Sequence, residues 1–294
     1  MVNATIKKLD GREARDRLLT FLLLLPAVGL MLTLYAYPFA GSIVRSFLDS
    51  DGAWTLNNYL KVQDLYVRDI VFTLAVSLLS TVLATIISIL LSSYLRLSSG
   101  GLASRIAGLI YRLPIFVPFV VVAQMMTTFL APHGLLNIAL SQLGLINIDA
   151  PLQLLDWKGL TFGFVWKQAA FMTLIVASGF MVIDDSYIEA ARSVGAGTPQ
   201  VIWRILIPMS RASISVALVL AFTSTVGTFT LPFMLIGGKS PTTITVDIAH
   251  RVTYFGDWGV ANALGTVSYV LVLVAAIYYL RYNLKQGVYE TQDG

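Results

Sequence analysis

"EAARSVGAGTPQVIWRILIP", residues 189–208, is a polar, glycine-punctuated island between two long apolar segments, and its reading decides how the whole chain is organised. Ser186 followed by Glu189 has the S-x-x-E spacing of a capping box, which satisfies free backbone N–H groups at a helix start. Ala190 and Ala191 continue that helix, and Gly195 can end it, because glycine accepts the left-handed conformation of a C-terminal cap. A second helix is expected with Thr198 as its cap and Pro199 at its first position, where a missing N–H costs nothing. Pro208 then closes it. The product is a helix–elbow–helix with a small-residue face that another protein can approach closely, although an ordinary interfacial loop would use the same caps.

Around the island the composition is that of a bilayer protein: 56% hydrophobic residues, 12% charged residues and a mean hydropathy of +0.76. Six apolar stretches, 18–40, 70–95, 113–131, 160–181, 214–236 and 260–280, approach or exceed the roughly 20 residues a span requires. The expected fold is therefore an all-α membrane protein with six transmembrane helices, forming one membrane domain over 1–294. The first stretch follows Lys7, Lys8, Arg12, Arg15 and Arg17 but is too long for the h-region of a signal peptide, so it reads as an anchor.

Orientation follows from the basic residues near span ends, which are retained in the cytoplasm. With the N-terminus inside, that side holds thirteen Lys and Arg, the opposite side six, and the acidic residues divide eight to eight. Both termini are thus expected in the cytoplasm, as the segments 1–17 and 281–294, together with the loop 182–213 that contains the island. The net charge of +4 is spread over helix ends rather than gathered on one face, which argues against a nucleic-acid partner.

Several chemistries find no residues to carry them. The chain has no cysteine, and His133 and His250 belong to no ligand cluster, so no metal site is expected. "IGGKSPTT", residues 236–243, ends like a phosphate-binding loop, but Phe233 stands where the first glycine should be and Pro241 where the helix should start. No Asp or Glu lies within the six stretches, a pattern that disfavours a proton- or sodium-coupled carrier. A self-sufficient carrier or channel remains the alternative to a subunit whose energy enters from outside.

The spacing of Glu189-Ala190-Ala191, Gly195, Ile205, Ile207 and Pro208 resembles the EAA loop of permease subunits in binding-protein-dependent ABC importers, E-A-A-x3-G-x9-I-x-L-P, with Ile207 for leucine. "GLLN" at 134–137 and "DWGVANALG" before the last span are similar to the family as well. The resemblance implies a type I ABC importer permease fold in a bacterial inner membrane. It also implies partners: two ATPase subunits that use ATP and Mg, an extracytoplasmic solute-binding protein, and a second permease subunit, either a different chain, as the asymmetric members of the family suggest, or a second copy. No cofactor is expected on this chain. Glu189, Ala190, Ala191, Arg192, Gly195, Arg204 and Pro208 would form the ATPase-coupling surface, with Glu189 offering its charge to the ATPase or serving only as a helix cap.

Polar residues inside the apolar stretches are candidates for a solute pathway. They are Thr223, Ser224, Thr225 and Thr228 in "TSTVGTFTLP", with Lys167, Gln168 and Gln124. Hydroxyls in membrane helices also bond neighbouring helices, and Lys167, the one ionisable residue inside the stretches, can snorkel outward. "RVTYFGDW", residues 251–258, is an outward loop suited to touching the binding protein or anchoring at the interface. The solute is read as neutral or anionic, with sugar and polyamine open: "EAARSVGA" resembles polyamine-type permeases, whereas Lys167 would repel a polycation.

Overall fold

A computed structural model describes residues 19–98, 100–237 and 239–290. Lys7, Lys8, Arg12, Arg15 and Arg17 lie outside the described residues. The elements are α1 (Leu19–Ser46), α2 (Asn57–Leu97), α3 (Leu102–Ile110), α4 (Leu113–Phe116), α5 (Phe119–Leu130), α6 (Leu135–Gln142), α7 (Trp157–Met181) and α8 (Asp185–Ser193). After these come α9 (Thr198–Met209), α10 (Arg211–Gly227), α11 (Thr230–Ile236), α12 (Ile244–Phe255) and α13 (Trp258–Glu290).

Five helical segments are long and apolar enough to span a bilayer, and α9 with α10 makes a sixth if that pair, bent by 76°, is counted as one. The six-span expectation therefore holds, with altered boundaries. Hydropathy finds the lipid-facing part of a helix, so it missed that α2 begins thirteen residues before 70 and takes in Lys61, Asp64, Arg68 and Asp69. Two spans are also broken. The third divides at Val117–Pro118, and the fifth leaves helical geometry at Thr228 before α11 resumes.

The bundle is organised by the contact of α2 with α7. Along α2 the residues Thr73, Ser77, Thr81, Ala84, Ser88 and Ser92 recur every three or four positions and, with Ser80, are all buried. Small side chains at this spacing let two backbones approach closely, which drives helix association where lipid is as apolar as leucine. Gly179 plays the same part between α7 and α10, since a Cβ there would lie 2.7 Å from the Ser213 Cβ.

Three apolar clusters share this frame. One, at the end of the bundle that carries the island, joins Ala84, Val176 and Phe180 to Ile188, Val201 and Leu206 of α8 and α9. The second joins α2, α5, α7 and α11 through Val76, Val122, Phe164 and Leu231. The third seats α12 and the start of α13 on α2 through Val62, Ile244, Val260 and Leu264.

Prolines shape two of the helices in one way. Leu32–Ala36 and Ile202–Leu206 are π turns, and each ends two residues before a proline, Pro38 or Pro208. Proline has no N–H to give the carbonyl four residues back, and its ring crowds that carbonyl. The wider turn relieves both, with Tyr37 N donating to Leu32 O and Ile207 N to Ile202 O.

Because Ala84 is fully buried between α2 and α7, Ala84→Leu is expected to lower stability by about 1–3 kcal/mol through overpacking. Thermal unfolding of the detergent-solubilised protein measures it.

Candidate functional site: the coupling loop and its anchor

The island folds as two helices closed against the bundle. Asp184, not Ser186, caps α8, accepting from Ser186 N at 2.8 Å. The Ser186 hydroxyl, with that backbone N–H, holds the Asp184 carboxyl below the usual range. An aspartate one residue outside the helix reaches the free N–H groups better than a serine already inside it. Gly197, not Thr198, stands at the cap of α9, whose Gln200 side chain reaches back to Gly197 N at 2.9 Å. Gly195 has φ +84° and closes α8 as expected, with Ala196 N donating to Ala191 O.

With Asp184 as the cap, Glu189 is left free of capping duty. Its side chain is exposed, and Glu189, Arg192 and Arg204 form no ion pair among the described residues. Ala190 is exposed beside it, while Ala191 packs on the apolar cluster below. Large apolar side chains stand out from the same loop, with Val194 85% and Trp203 72% exposed and Tyr187 nearby. Pro208 is exposed and lies just before the bend at Ser210.

The loop is tied to the membrane helices by a residue that sequence reading took only as a marker of orientation. From the last turn of α2, Arg96 Nε donates to Phe180 O at 3.0 Å, and Nη2 donates to Ile183 O at 2.8 Å and to Asp185 Oδ1 at 2.5 Å. The carbonyls ending α7 have no helical partners and carry the negative end of the helix dipole. A guanidinium satisfies them and pairs with the first turn of α8 at once, so one side chain joins α2, α7 and the loop. Its side chain is 13% exposed.

The pathway candidates are dispersed. Lys167 Nζ donates to the carbonyls of Pro114 (2.6 Å), Ile115 (3.2 Å) and Val117 (2.5 Å), at the break between α4 and α5. Gln168 and Thr225 meet across α7 and α10, where Gln168 Nε2 lies 3.4 Å from both Thr225 Oγ1 and Ala221 O, and both side chains are buried. Thr223, Ser224 and Thr228 are not brought into that contact; Thr228 Oγ1 bonds Ser224 O. Gln124 is exposed, beside Trp166 and Met234, on a largely apolar cavity of about 770 Å³.

At the end of the bundle opposite the coupling loop, a second cavity of about 720 Å³ carries the charged side chains of Arg45, Asp49, Lys61 and Asp257 beside Trp258. The last two belong to "RVTYFGDW". Asp257 Oδ1 accepts from Val260 N and Oδ2 faces Lys61 and Arg251, while Asn262 accepts from Ser42. In "GLLN", buried Asn137 bonds the backbone of Ala131 and Leu152, so this motif is a clamp on the loop after α5.

No Asp or Glu lies within the six predicted stretches, but two carboxylates are buried outside them. Asp69, just outside the predicted span, accepts from Thr242 N at 3.0 Å and Ser240 Oγ at 3.3 Å. Asp247, on α12, is 6% exposed with one oxygen unpartnered. Burial, reinforced by the charge of Asp69 and opposed by Arg251, pushes the Asp247 carboxyl up to about 7.

The comparisons with known proteins agree with this architecture. The model of the "Binding-protein-dependent transport system inner membrane component" family matches residues 84–288. The chain belongs to that family. It is thus a multi-pass transport permease subunit rather than a catalytic enzyme. It is 28% identical over 288 residues to the sulfoquinovosyl glycerol transport system permease protein of Agrobacterium fabrum, covering 90% of each chain. It is 27% identical to the spermidine/putrescine transport system permease protein of Salmonella typhimurium, over 81% of this chain and 84% of that one. A crystal structure of a bacterial alginate ABC transporter, in complex with an alginate pentasaccharide-bound periplasmic protein, contains a chain of the same fold. The TM-score is 0.75 at 22% identity, covering 91% of this chain and 94% of that one.

Arg96→Gln is expected to cost about 1.5–3 kcal/mol and to raise amide exchange selectively over residues 182–197, because charge-assisted bonds to two helices are lost. The Asp247 contribution has a definite sign. A carboxyl raised from about 4 stabilises the fold fully below that pH and loses the contribution as pH rises through about 7. Asp247→Asn should therefore raise the melting temperature, relative to the parent chain, more at pH 8 than at pH 5.

Proposed function

We propose that this chain is one of two permease subunits of an ATP-driven importer in a bacterial inner membrane. It passes a small polar solute from an extracytoplasmic binding protein into the cytoplasm by alternating access. In this reading residues 182–213 and both termini are cytoplasmic. Two separate ATPase subunits hold ATP and Mg, and the second permease subunit is a different chain.

The observation that carries the reading is the state of the coupling loop. It presents Glu189 without a partner, beside exposed Tyr187, Val194 and Trp203, while its inner face is anchored through Arg96, Ile188 and Leu206. Exposed aromatic and aliphatic groups with an unpaired charge suit a protein partner. An anchored inner face lets force on the outer face reach α2, α7 and α10. The charge-lined cavity at the opposite end suits the face that meets the binding protein.

For the solute, a neutral or anionic compound of saccharide type fits best, with polyamine the alternative. The sugar-glycoside relative matches over more of both chains than the polyamine relative does. Of the two buried carboxylates that a polycation could use, Asp69 is engaged by Ser240 and Thr242. A self-sufficient ion-coupled carrier would draw on Asp69 and the unpartnered Asp247 instead. Solute uptake by the isolated chain in liposomes would establish that carrier and reject the present reading.

Gly195→Leu forces a left-handed residue that costs about 1–2 kcal/mol, and Glu189→Lys inverts the exposed charge. Both are expected to leave membrane insertion intact and to reduce ATP-dependent uptake in vesicles at least tenfold; unchanged uptake in both variants overturns the coupling role. The chain has no cysteine, so Ser193→Cys should react with a membrane-impermeant maleimide only after cells are permeabilised. Native mass spectrometry of the cognate binding protein would identify the solute.

A further inference from the structure

Between α3 and the last two turns of α7 lies a cavity of about 330 Å³, separate from the candidate solute positions. Its polar side is formed by Ser104, Arg105 and Arg112, and its apolar side by Leu95, Leu174 and Met181. Neither arginine has a carboxylate partner among the described residues. Arg112 donates to the Tyr111 hydroxyl at 3.1 Å and lies over that ring, and Arg105 forms no ion pair. Arg96, next to Leu95, is by contrast fully engaged. Two exposed cations without an acid are thus held at one cavity.

The position along the bundle fixes the surroundings. α7 has 25 residues, enough to cross the hydrocarbon with a turn to spare, so its last turn reaches the level of lipid headgroups. α3 is an interfacial helix in pattern: Leu102, Ile106, Leu109 and Ile110 are exposed on one face, and Phe116 of α4 is 81% exposed beyond them. A ligand here meets cations on one side and an apolar surface on the other.

We propose that this cavity binds an anionic phospholipid, its phosphate between Arg105 and Arg112 and an acyl chain along the exposed apolar face of α3 and α4. Guanidinium groups match phosphate oxygens in pairs, and basic pockets between membrane helices hold anionic headgroups. A soluble anion would leave the apolar wall unused. The site lies off the solute path, and its test is independent of transport.

The assembled importer, reconstituted in nanodiscs of equal phosphatidylglycerol and phosphatidylcholine, is transferred to detergent, and its retained lipids are read by native mass spectrometry. Phosphatidylglycerol is expected to be enriched at least about fivefold on this subunit. Arg105→Gln with Arg112→Gln should abolish the enrichment, and Arg105→Lys with Arg112→Lys should keep most of it. Equal retention of the two lipids by the unaltered chain overturns the proposal without recourse to a variant. So does displacement of the bound lipid by inorganic phosphate, which would assign the cavity to a soluble anion. A disulfide formed between Arg105→Cys and a cysteine on the second permease subunit would show the cavity closed by protein, and would overturn it as well.

Discussion

Every backbone N–H and C=O inside a bilayer must find a partner within the protein, because hydrocarbon supplies none. At several helix breaks and ends in this bundle that requirement recurs, and a polar side chain meets it. Lys167 takes three carbonyls at the break between α4 and α5, and Arg96 takes two at the end of α7. Asn58 bonds the carbonyls of Ser46 and Leu48, and Asn137 those of Ala131 and Leu152. Asp69 and Thr73 receive the N–H groups of Thr242 and Ile244 as the chain enters α12. Lys167 and the polar residues at the span ends are thus committed to holding irregular backbone.

That constraint also explains what could be learned from the sequence. Hydropathy located all six spans, because apolar surface facing lipid is a local property of each segment. The island was legible as two short helices, because glycine and proline act on their own neighbours. The caps were displaced by one or two residues, to Asp184 and Gly197, since several adjacent polar groups can serve and geometry chooses among them.

Long-range relations were not legible. Arg96 and Asp185 are 89 residues apart, and Lys167 is about fifty from the carbonyls it caps, so no local pattern links them. Lys167, the one charge in the predicted spans, looked like a pathway residue for the same reason that it makes a good cap. The buried carboxylates were missed because Asp69 sits one residue beyond the hydropathy boundary and Asp247 on a helix of 12 residues, too short to be counted as a span. The small-residue stripe on α2 was visible as letters, yet its meaning required knowing that α7 lies against it.

The 76° turn at Ser210 has a mechanical meaning. The arm from Thr198 to Met209 is about 18 Å long at about 1.5 Å per residue, and it meets the membrane helix at one non-helical residue. Swinging that arm by about 10° around Ser210 carries its Thr198 tip through about 3 Å, by the same length, while the start of α10 scarcely shifts. The joint thus has the proportions of a crank, a long arm on a short pivot at the root of the fifth span.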